Sequence, residues 1–211
     1  MRRASLATGL VLLAAAWIVV LPFGGRESFT IHMIVHMSVV AGAAPLLAVG
    51  LSGSRHDLTV RWPWFTPVIA SLVELLAVWG WHLPAARAMA EASWIVTALE
   101  QATFLAAGML LWLSCLGGAQ EGREARQLAG TFGLLFTSMH MTLLGALLSL
   151  SPRPLYGIET VTCFGVTLGA AVDQQAGGVV MLLVGAVVYL LGGVLLLSSA
   201  LGPREHSGGR L

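Results

Sequence analysis

Charged residues are scarce in this chain: they make up 10% of its 211 residues, and all eleven basic residues are arginine, with no lysine. Soluble domains carry about 25% charged residues, which argues against a water-soluble fold. The formal net charge of +1 gives no basis for nucleic-acid binding, which needs a clustered excess of positive charge. The only cysteines, Cys115 and Cys163, are too few for a disulfide framework or a multi-cysteine zinc site.

The chain is correspondingly rich in apolar residues. Hydrophobic residues account for 57% of the chain, and the mean hydropathy is +0.85. A transmembrane helix needs about 20 mostly apolar residues, and the sequence between its Pro and Gly stop signals predicts six of them. We place these spans near residues 5-22, 29-50, 64-82, 94-116, 128-150 and 179-201. The chain, residues 1-211, is therefore predicted to be one integral membrane domain, an all-α polytopic helix bundle.

Two apolar stretches need a separate decision. The run from Leu6 to Leu21 follows Arg2 and Arg3, as in a secretory signal peptide, but it is longer than the usual apolar region of such a peptide. We favour an uncleaved first span. The stretch 156-172 is short, contains Glu159 and is rich in Thr and Gly, so we expect a buried or interfacial segment there and not a seventh span.

Arginine placement predicts the orientation of the bundle. With six spans, three arginines fall on one side, namely Arg26, Arg87 and Arg153. The other eight fall on the opposite side: Arg2, Arg3, Arg55, Arg61, Arg123, Arg126, Arg204 and Arg210. Cytoplasmic loops carry an excess of Arg and Lys, so both termini are predicted to be cytoplasmic.

The second span carries an unusual pair of polar residues, His32 and His36. Residues four apart share one face of a helix, so both imidazoles should point the same way. An ionisable pair inside a membrane segment is a functional-site hypothesis by default. In the predicted topology, further polar residues fall in the outer half of the bundle or at its border: His82, Glu100, His140 and Asp173.

This combination of side chains favours a metal ion. Imidazole with thioether selects copper, especially Cu(I), and two histidines at i and i+4 are a recurring metal clamp. The candidate ligands are His32, His36, His82, His140, Met33, Met37 and Met141. Asp173 or Glu100 is expected to fix a histidine tautomer as a hydrogen-bond acceptor.

Other roles stay open for several of these residues. Glu74, in the middle of the third span, must face the interior of the bundle. Three roles remain open for it: pairing with a histidine, relaying a proton, or accepting a hydrogen bond from a Ser or Thr hydroxyl. An intramembrane histidine also serves as an interhelical hydrogen-bond partner, and methionines are mostly packing residues.

Several short motifs carry a family resemblance. They are His32-Met33-x-x-His36-Met37, Ala44-Pro45-Leu46-Leu47 with Gly50, Trp79-x-Trp81-His82-Leu83-Pro84, His140, Ser149-x-Ser151-x-x-Pro154-Leu155-Tyr156-Gly157, and Asp173-Gln174-Gln175-x-Gly177-Gly178-Val179-Val180-Met181. In this order they resemble the CtaG-type cytochrome c oxidase assembly factors, multi-span proteins of the bacterial inner membrane. One departure is the fourth span, where the family commonly has further histidines and this chain has Glu100-Gln101.

The resemblance implies a role in building haem-copper oxidases, by helping copper reach the oxidase. We therefore expect a copper-binding assembly factor that is not an enzyme, with oxidase subunits or periplasmic copper chaperones as partners. Three alternatives remain open: a copper transporter, a haem-binding electron-transfer protein with His36 and His140 as axial ligands, and a metal-free scaffold.

Overall fold

A computed structural model describes residues 2–55, 57–62, 64–118, 122–157 and 159–202. The helices, in chain order, are α1 Arg2–Phe23, α2 Phe29–Leu51, α3 Leu58–Arg61, α4 Pro67–Trp81, α5 Pro84–Ala92, α6 Trp94–Leu116, α7 Arg123–Ser149 and α8 Ala170–Leu201. Two strands, β1 Thr160–Cys163 and β2 Val166–Gly169, lie between α7 and α8. Within the described part of the chain, five helices are long and apolar enough to cross a membrane, or six if a bent pair forms one span. The all-α polytopic bundle is confirmed.

The bent pair is α4 with α5, whose axes differ by 71°. The break follows from Leu83-Pro84. Proline disfavours a helical conformation in the residue before it, and Leu83 is extended with φ −65° and ψ 135°. Proline is well suited to the first turn of a new helix, so α5 begins at Pro84. The predicted third span, near 64-82, is thus a shorter helix that turns a corner.

A proline also disturbs each of the first two helices without breaking it. The turn Ala15–Val20 in α1 and the turn Ser38–Ala43 in α2 are π-helical. Each lies just ahead of a proline, Pro22 and Pro45. A proline ring clashes with the carbonyl four residues earlier and donates no hydrogen bond, and a wider turn relieves that clash. At Pro45 the helix therefore continues through this wide turn.

The stretch 156-172 forms a β-hairpin followed by the start of α8. The strands pair antiparallel, with Thr160 opposite Gly169 and Cys163 opposite Val166. Phe164 and Gly165 both have positive φ, 48° and 81°, the conformation of a tight hairpin turn. The prediction that this stretch is not a seventh span agrees with the hairpin. The helix of the predicted sixth span, however, begins at Ala170 and not near 179, so Asp173 lies inside that helix, in its first turn.

The loops collect at two ends of the bundle. One end, which we call the hairpin end, holds the α1–α2 loop, the α4–α5 corner and the β-hairpin, whose Phe164 N–H donates to the carbonyl of Gly24 over 3.0 Å. At the other end, the start of α1 lies beside the α2–α3 loop. If Gly53 in that loop carried a Cβ, this atom would lie 3.6 Å from Nη2 of Arg2. The cytoplasmic location of that end stays a prediction. Two of the arginines counted for this prediction, Arg204 and Arg210, lie outside the described residues, as do His56 and His206.

Candidate functional site: a cluster of buried histidines

The first turn of α2 is fixed by a carboxylate from α8. Asp173 accepts hydrogen bonds from the Ser28 hydroxyl (2.6 Å) and from the backbone N–H groups of Phe29 and Thr30. The Ser28 hydroxyl also accepts from the N–H of Ile31 over 3.2 Å, as an N-cap residue does. Asp173 therefore caps α2, and both of its carboxylate oxygens accept from these donors; its expected role as an acceptor for an imidazole stays a prediction.

Three imidazoles meet just below this cap. His32 and His36 come from α2, and His82 is the C-terminal cap residue of α4; their exposed fractions are 3%, 0% and 5%. The ring centroids are 6.3 Å apart for His32 and His36, 5.7 Å for His32 and His82, and 5.5 Å for His36 and His82. The shared face predicted for the α2 pair is realised, and the third ring comes from α4. We call these three residues the histidine cluster.

Most ring nitrogens of the histidine cluster have no protein partner. Nδ1 of His82 donates to the carbonyl of Val78 over 2.6 Å, because a carbonyl oxygen only accepts. Nδ1 of His32 lies 3.0 Å from Nη1 of Arg87. Among the described residues, no hydrogen-bond partner reaches Nε2 of His32, Nε2 of His82 or either nitrogen of His36. Buried polar groups are normally paired, and these four unpaired nitrogens lie together in one place; both ring nitrogens of His140 are unpaired as well.

Aromatic side chains close the cluster off from solvent. The ring of Phe104, on α6, lies 4.0 Å from that of His36 between centroids. Phe29 stacks on Tyr156 at 4.5 Å, and the Tyr156 hydroxyl donates to the backbone carbonyl of His82 over 2.6 Å. These apolar walls keep the local dielectric low, which strengthens any electrostatic interaction made inside.

The acidic residue of the fourth span borders the cluster. Glu100 is fully buried, and its Oε2 lies 3.6 Å from Nδ1 of His32. The side-chain oxygen of the neighbouring Gln101 accepts from Nε1 of Trp17, on α1, over 3.1 Å. Glu100 thus lies beside a histidine, whereas its expected role as the acceptor that fixes a tautomer stays a prediction; Gln101 joins α6 to α1.

Sequence reasoning missed Arg87, which is buried at the cluster. Besides contacting His32, its guanidinium donates to the carbonyl of Arg26 over 2.9 Å and pairs with Glu91 at 3.0 Å. We had counted Arg87 only as a loop charge. The available signal was Arg87 and Glu91 at i and i+4, directly after Pro84, which predicts a short helix bearing an ion pair. The 71° corner then turns Arg87 toward α2.

Four other candidate ligands lie away from these contacts. His140 is buried on α7, and its ring contact is with Phe136 of the same helix, at 5.6 Å. Met33 packs toward Gly177 of α8, and Met37 and Met141 pack toward Gly185. The structure does not show imidazoles of α2 and α7 converging; α4 supplies the third ring, and ligation by His140 or the methionines stays a prediction.

Glu74 belongs to a different part of the bundle. It is fully buried in α4, and its Oε1 accepts a hydrogen bond from the Tyr189 hydroxyl over 2.7 Å. Tyr189 also stacks on Trp112, whose Nε1 donates to the carbonyl of Val40 over 3.1 Å. Of the alternatives left open for Glu74, the structure shows a hydroxyl partner.

As it stands, the cluster is slightly wider than a metal-bound site. With metal–nitrogen bonds of about 2.0–2.1 Å, the centroids of two imidazoles on one ion lie about 5–5.5 Å apart, against 5.5–6.3 Å here. Across the described ranges, no group of three His, Cys, Asp or Glu side chains is arranged to hold an ion. A metal would therefore require the most distant pair, His32 and His36, to close in by about 1 Å.

Comparison with known families gives one match. The family described as cytochrome c oxidase caa3 assembly factor (Caa3_CtaG) matches residues 1–201, nearly the whole chain. No curated protein and no solved structure matches it.

Proposed function

The chain belongs to the cytochrome c oxidase caa3 assembly factors, and we propose that it serves assembly by holding a copper ion at the histidine cluster and passing it to a haem-copper oxidase. The observation that carries the proposal is the set of three buried imidazoles with four unpaired ring nitrogens. In this reading copper is cargo, and no catalytic step is assigned to the protein.

The residues present fit such an ion. Neutral imidazole nitrogens are good copper ligands, and leaving them unpaired in a buried site costs free energy that a ligand would recover. His82 already has the arrangement of a typical metal-ligating histidine, with one ring N–H bonded to a backbone carbonyl and the other nitrogen unpaired. His32, His36 and His82 would hold the ion, and its Cu(I) state would favour a thioether as an additional ligand.

The cavity that reaches His32, beside Arg26 and Arg87, is small, with a volume of about 10 Å³. Such a volume accommodates about one water molecule, so a haem does not enter by this cavity without movement of the helices around it. The electron-transfer alternative, with His36 and His140 as axial ligands, is decided by the Soret band in the copper test below.

The position of the cluster supports delivery from one side of the membrane. It lies near the hairpin end, below the cap formed by Asp173 on α2 and beside α5. We place this end on the outer side of the bacterial inner membrane, following the arginine distribution. Oxidase subunits or periplasmic copper chaperones are then the partners that reach it.

Copper analysis of purified protein tests the site. We expect copper in the wild type, loss of most of it in His36→Ala and His82→Ala, and retention in His140→Ala, which removes a buried imidazole outside the cluster. Loss in His140→Ala as well would make the α7 histidine a ligand. Equal copper in all four proteins would refute the site and favour a metal-free scaffold, and a Soret band would favour haem.

A cellular experiment tests the role. In cells that lack the protein, oxidase activity should fall and should recover on addition of copper, because excess metal bypasses a delivery step. His36→Ala should behave as the deletion does, and His140→Ala should behave as the wild type does. No recovery at any copper concentration would contradict delivery.

A further inference from the structure

We propose that Arg87 and Glu100 are positioning residues that compete for Nδ1 of His32, so that contact with Arg87 prevents His32 from ligating and contact with Glu100 prepares it to ligate. The functional role of this arrangement rests on the proposed copper site. The hydrogen-bond geometry from which we infer it is independent of copper binding.

The first step concerns the hydrogen on His32. A guanidinium has only donors, so the 3.0 Å contact with Arg87 requires Nδ1 of His32 to accept. A neutral imidazole has one N–H and one lone pair, so its hydrogen must be on Nε2. Nε2 is the buried nitrogen without a partner among the described residues. In this tautomer neither nitrogen of His32 offers a lone pair to an ion.

His82 shows the contrasting arrangement in the same cluster. Its Nδ1 donates to the carbonyl of Val78, so its lone pair is on Nε2, which is buried and unpaired. One imidazole of the cluster is thus prepared to ligate, while another is held in the opposite tautomer by a neighbouring side chain.

Glu100 is the group that would reverse His32. Its Oε2 lies 3.6 Å from the same Nδ1 that contacts Arg87, slightly beyond hydrogen-bond distance. If Arg87 withdraws, the hydrogen moves from Nε2 to Nδ1, Nδ1–H donates to Glu100, and Nε2 gains the lone pair. The imidazole stays neutral throughout, so the change is one of tautomer and not of charge.

Arg87 also opposes an ion by its own charge. Its side chain is buried and reaches the ring of His32, so its positive charge acts on the cluster with little screening by solvent. Its placement depends on α5, through Glu91 of the same helix and the carbonyl of Arg26 in the α1–α2 loop. A partner that shifts α5 would therefore withdraw the competing donor and the competing charge together.

Imidazole nitrogen NMR of metal-free protein tests the geometry directly. In protein labelled with ¹⁵N-histidine, the His32 signals, assigned by their loss in His32→Ala, should show the lone pair on Nδ1. Arg87→Met removes the donor with little change in volume and should move the lone pair to Nε2. Arg87→Lys, which keeps a cationic donor, should retain the wild-type tautomer. A lone pair that stays on Nδ1 in Arg87→Met would overturn the proposal.

A matched control separates this effect from general loosening. Arg26 lies at the same end, and its side chain bonds the Ala90 carbonyl (3.0 Å) and the Thr97 hydroxyl (2.9 Å), not His32. Arg26→Met should leave the His32 tautomer unchanged. A shift in this variant equal to that in Arg87→Met would show that loss of any local arginine suffices, which would refute the specific role of Arg87.

Copper affinity gives the functional readout. Removing an outer partner of a ligand typically changes metal affinity about 10–100-fold. Arg87→Met should bind Cu(I) about tenfold more tightly than the wild type, and Glu100→Leu about tenfold more weakly with its metal-free tautomer unchanged. Weaker binding in Arg87→Met would indicate a merely structural arginine. If no variant binds copper, the proposed function fails, whereas the NMR result still decides the tautomer.

Discussion

Asp173 holds the start of α2 in place, so its removal should destabilise the protein and displace the histidine cluster. In Asp173→Ala, the Ser28 hydroxyl and the N–H groups of Phe29 and Thr30 lose their acceptor. Ser28 and Phe29 are buried, so water does not easily replace it. His32 lies one turn further along the helix and would lose its fixed entry angle.

The magnitude follows from the groups left unpaired. A buried donor without a partner costs about 1–3 kcal/mol, and loss of a cap costs about 0.5–2 kcal/mol. Since Thr30 is only half-buried and part of the first turn can rearrange, we expect Asp173→Ala to lower the free energy of unfolding by about 3 kcal/mol. Thr30→Val is the matched control. It removes only the bond from the Thr30 hydroxyl to the Asp173 carbonyl, 2.8 Å, and should cost about 1 kcal/mol.

Equilibrium unfolding in mixed micelles, followed by circular dichroism, measures both variants. A double-mutant cycle with Ser28→Ala should give a coupling of about 0.5–3 kcal/mol, since the two side chains share one hydrogen bond. The reasoning is refuted if Asp173→Ala costs no more than Thr30→Val, or if the cycle shows no coupling.

Two further predictions concern other parts of the bundle. Burial alone would raise the pKa of Asp57, but hydrogen bonds from the Thr59 hydroxyl and from nearby backbone N–H groups outweigh it and hold the pKa below its ordinary value. Its stabilising contribution should therefore be present above about pH 4 and be lost as the pH falls through the lowered value; Thr59→Val should show a smaller loss, and an identical acid profile in the two proteins would contradict this. In α8, a Cβ on Gly178 would lie 2.7 Å from the backbone nitrogen of Ser149, so Gly178→Ala should destabilise the α7–α8 contact by about 1–3 kcal/mol. The control Gly80→Ala, with nothing within 4 Å of the added carbon, should be neutral or stabilising by up to about 1 kcal/mol, and the opposite order in thermal unfolding would refute the packing argument.

Features that depend on local periodicity were predictable from the sequence. The spacing of His32 and His36 sets a shared face because a helix repeats every 3.6 residues, whatever surrounds it. Span positions followed from apolar length and from Pro and Gly boundaries. The alternation in 160–169 and the turn at Phe164 were local too, but the high apolar content of the stretch hid the hairpin.

Features that depend on the arrangement of helices were not predictable in the same way. His140 and His82 are equally plausible third ligands in the sequence. Only the arrangement of the helices, in which α4 packs against α6 and α7, brings His82 beside the α2 pair. Arg87 reaches the cluster because of the 71° bend between α4 and α5. Pro84 predicts that the chain bends there, but not by how much. Asp173 is a cap because α8 starts earlier than its apolar core suggests.

The wide turn Ser38–Ala43 divides α2 into two halves that pack against different helices. A π turn holds one residue more than an α turn, and one residue corresponds to a rotation of about 100° around the axis. The segment Phe29–Met37 packs against α8, and the segment Ala44–Leu51 packs against α1 and α6. The two halves of α2 are thereby rotated relative to each other about the helix axis, and each faces its own neighbours. The orientation of the half that bears the imidazoles is therefore set independently of the packing of the other half.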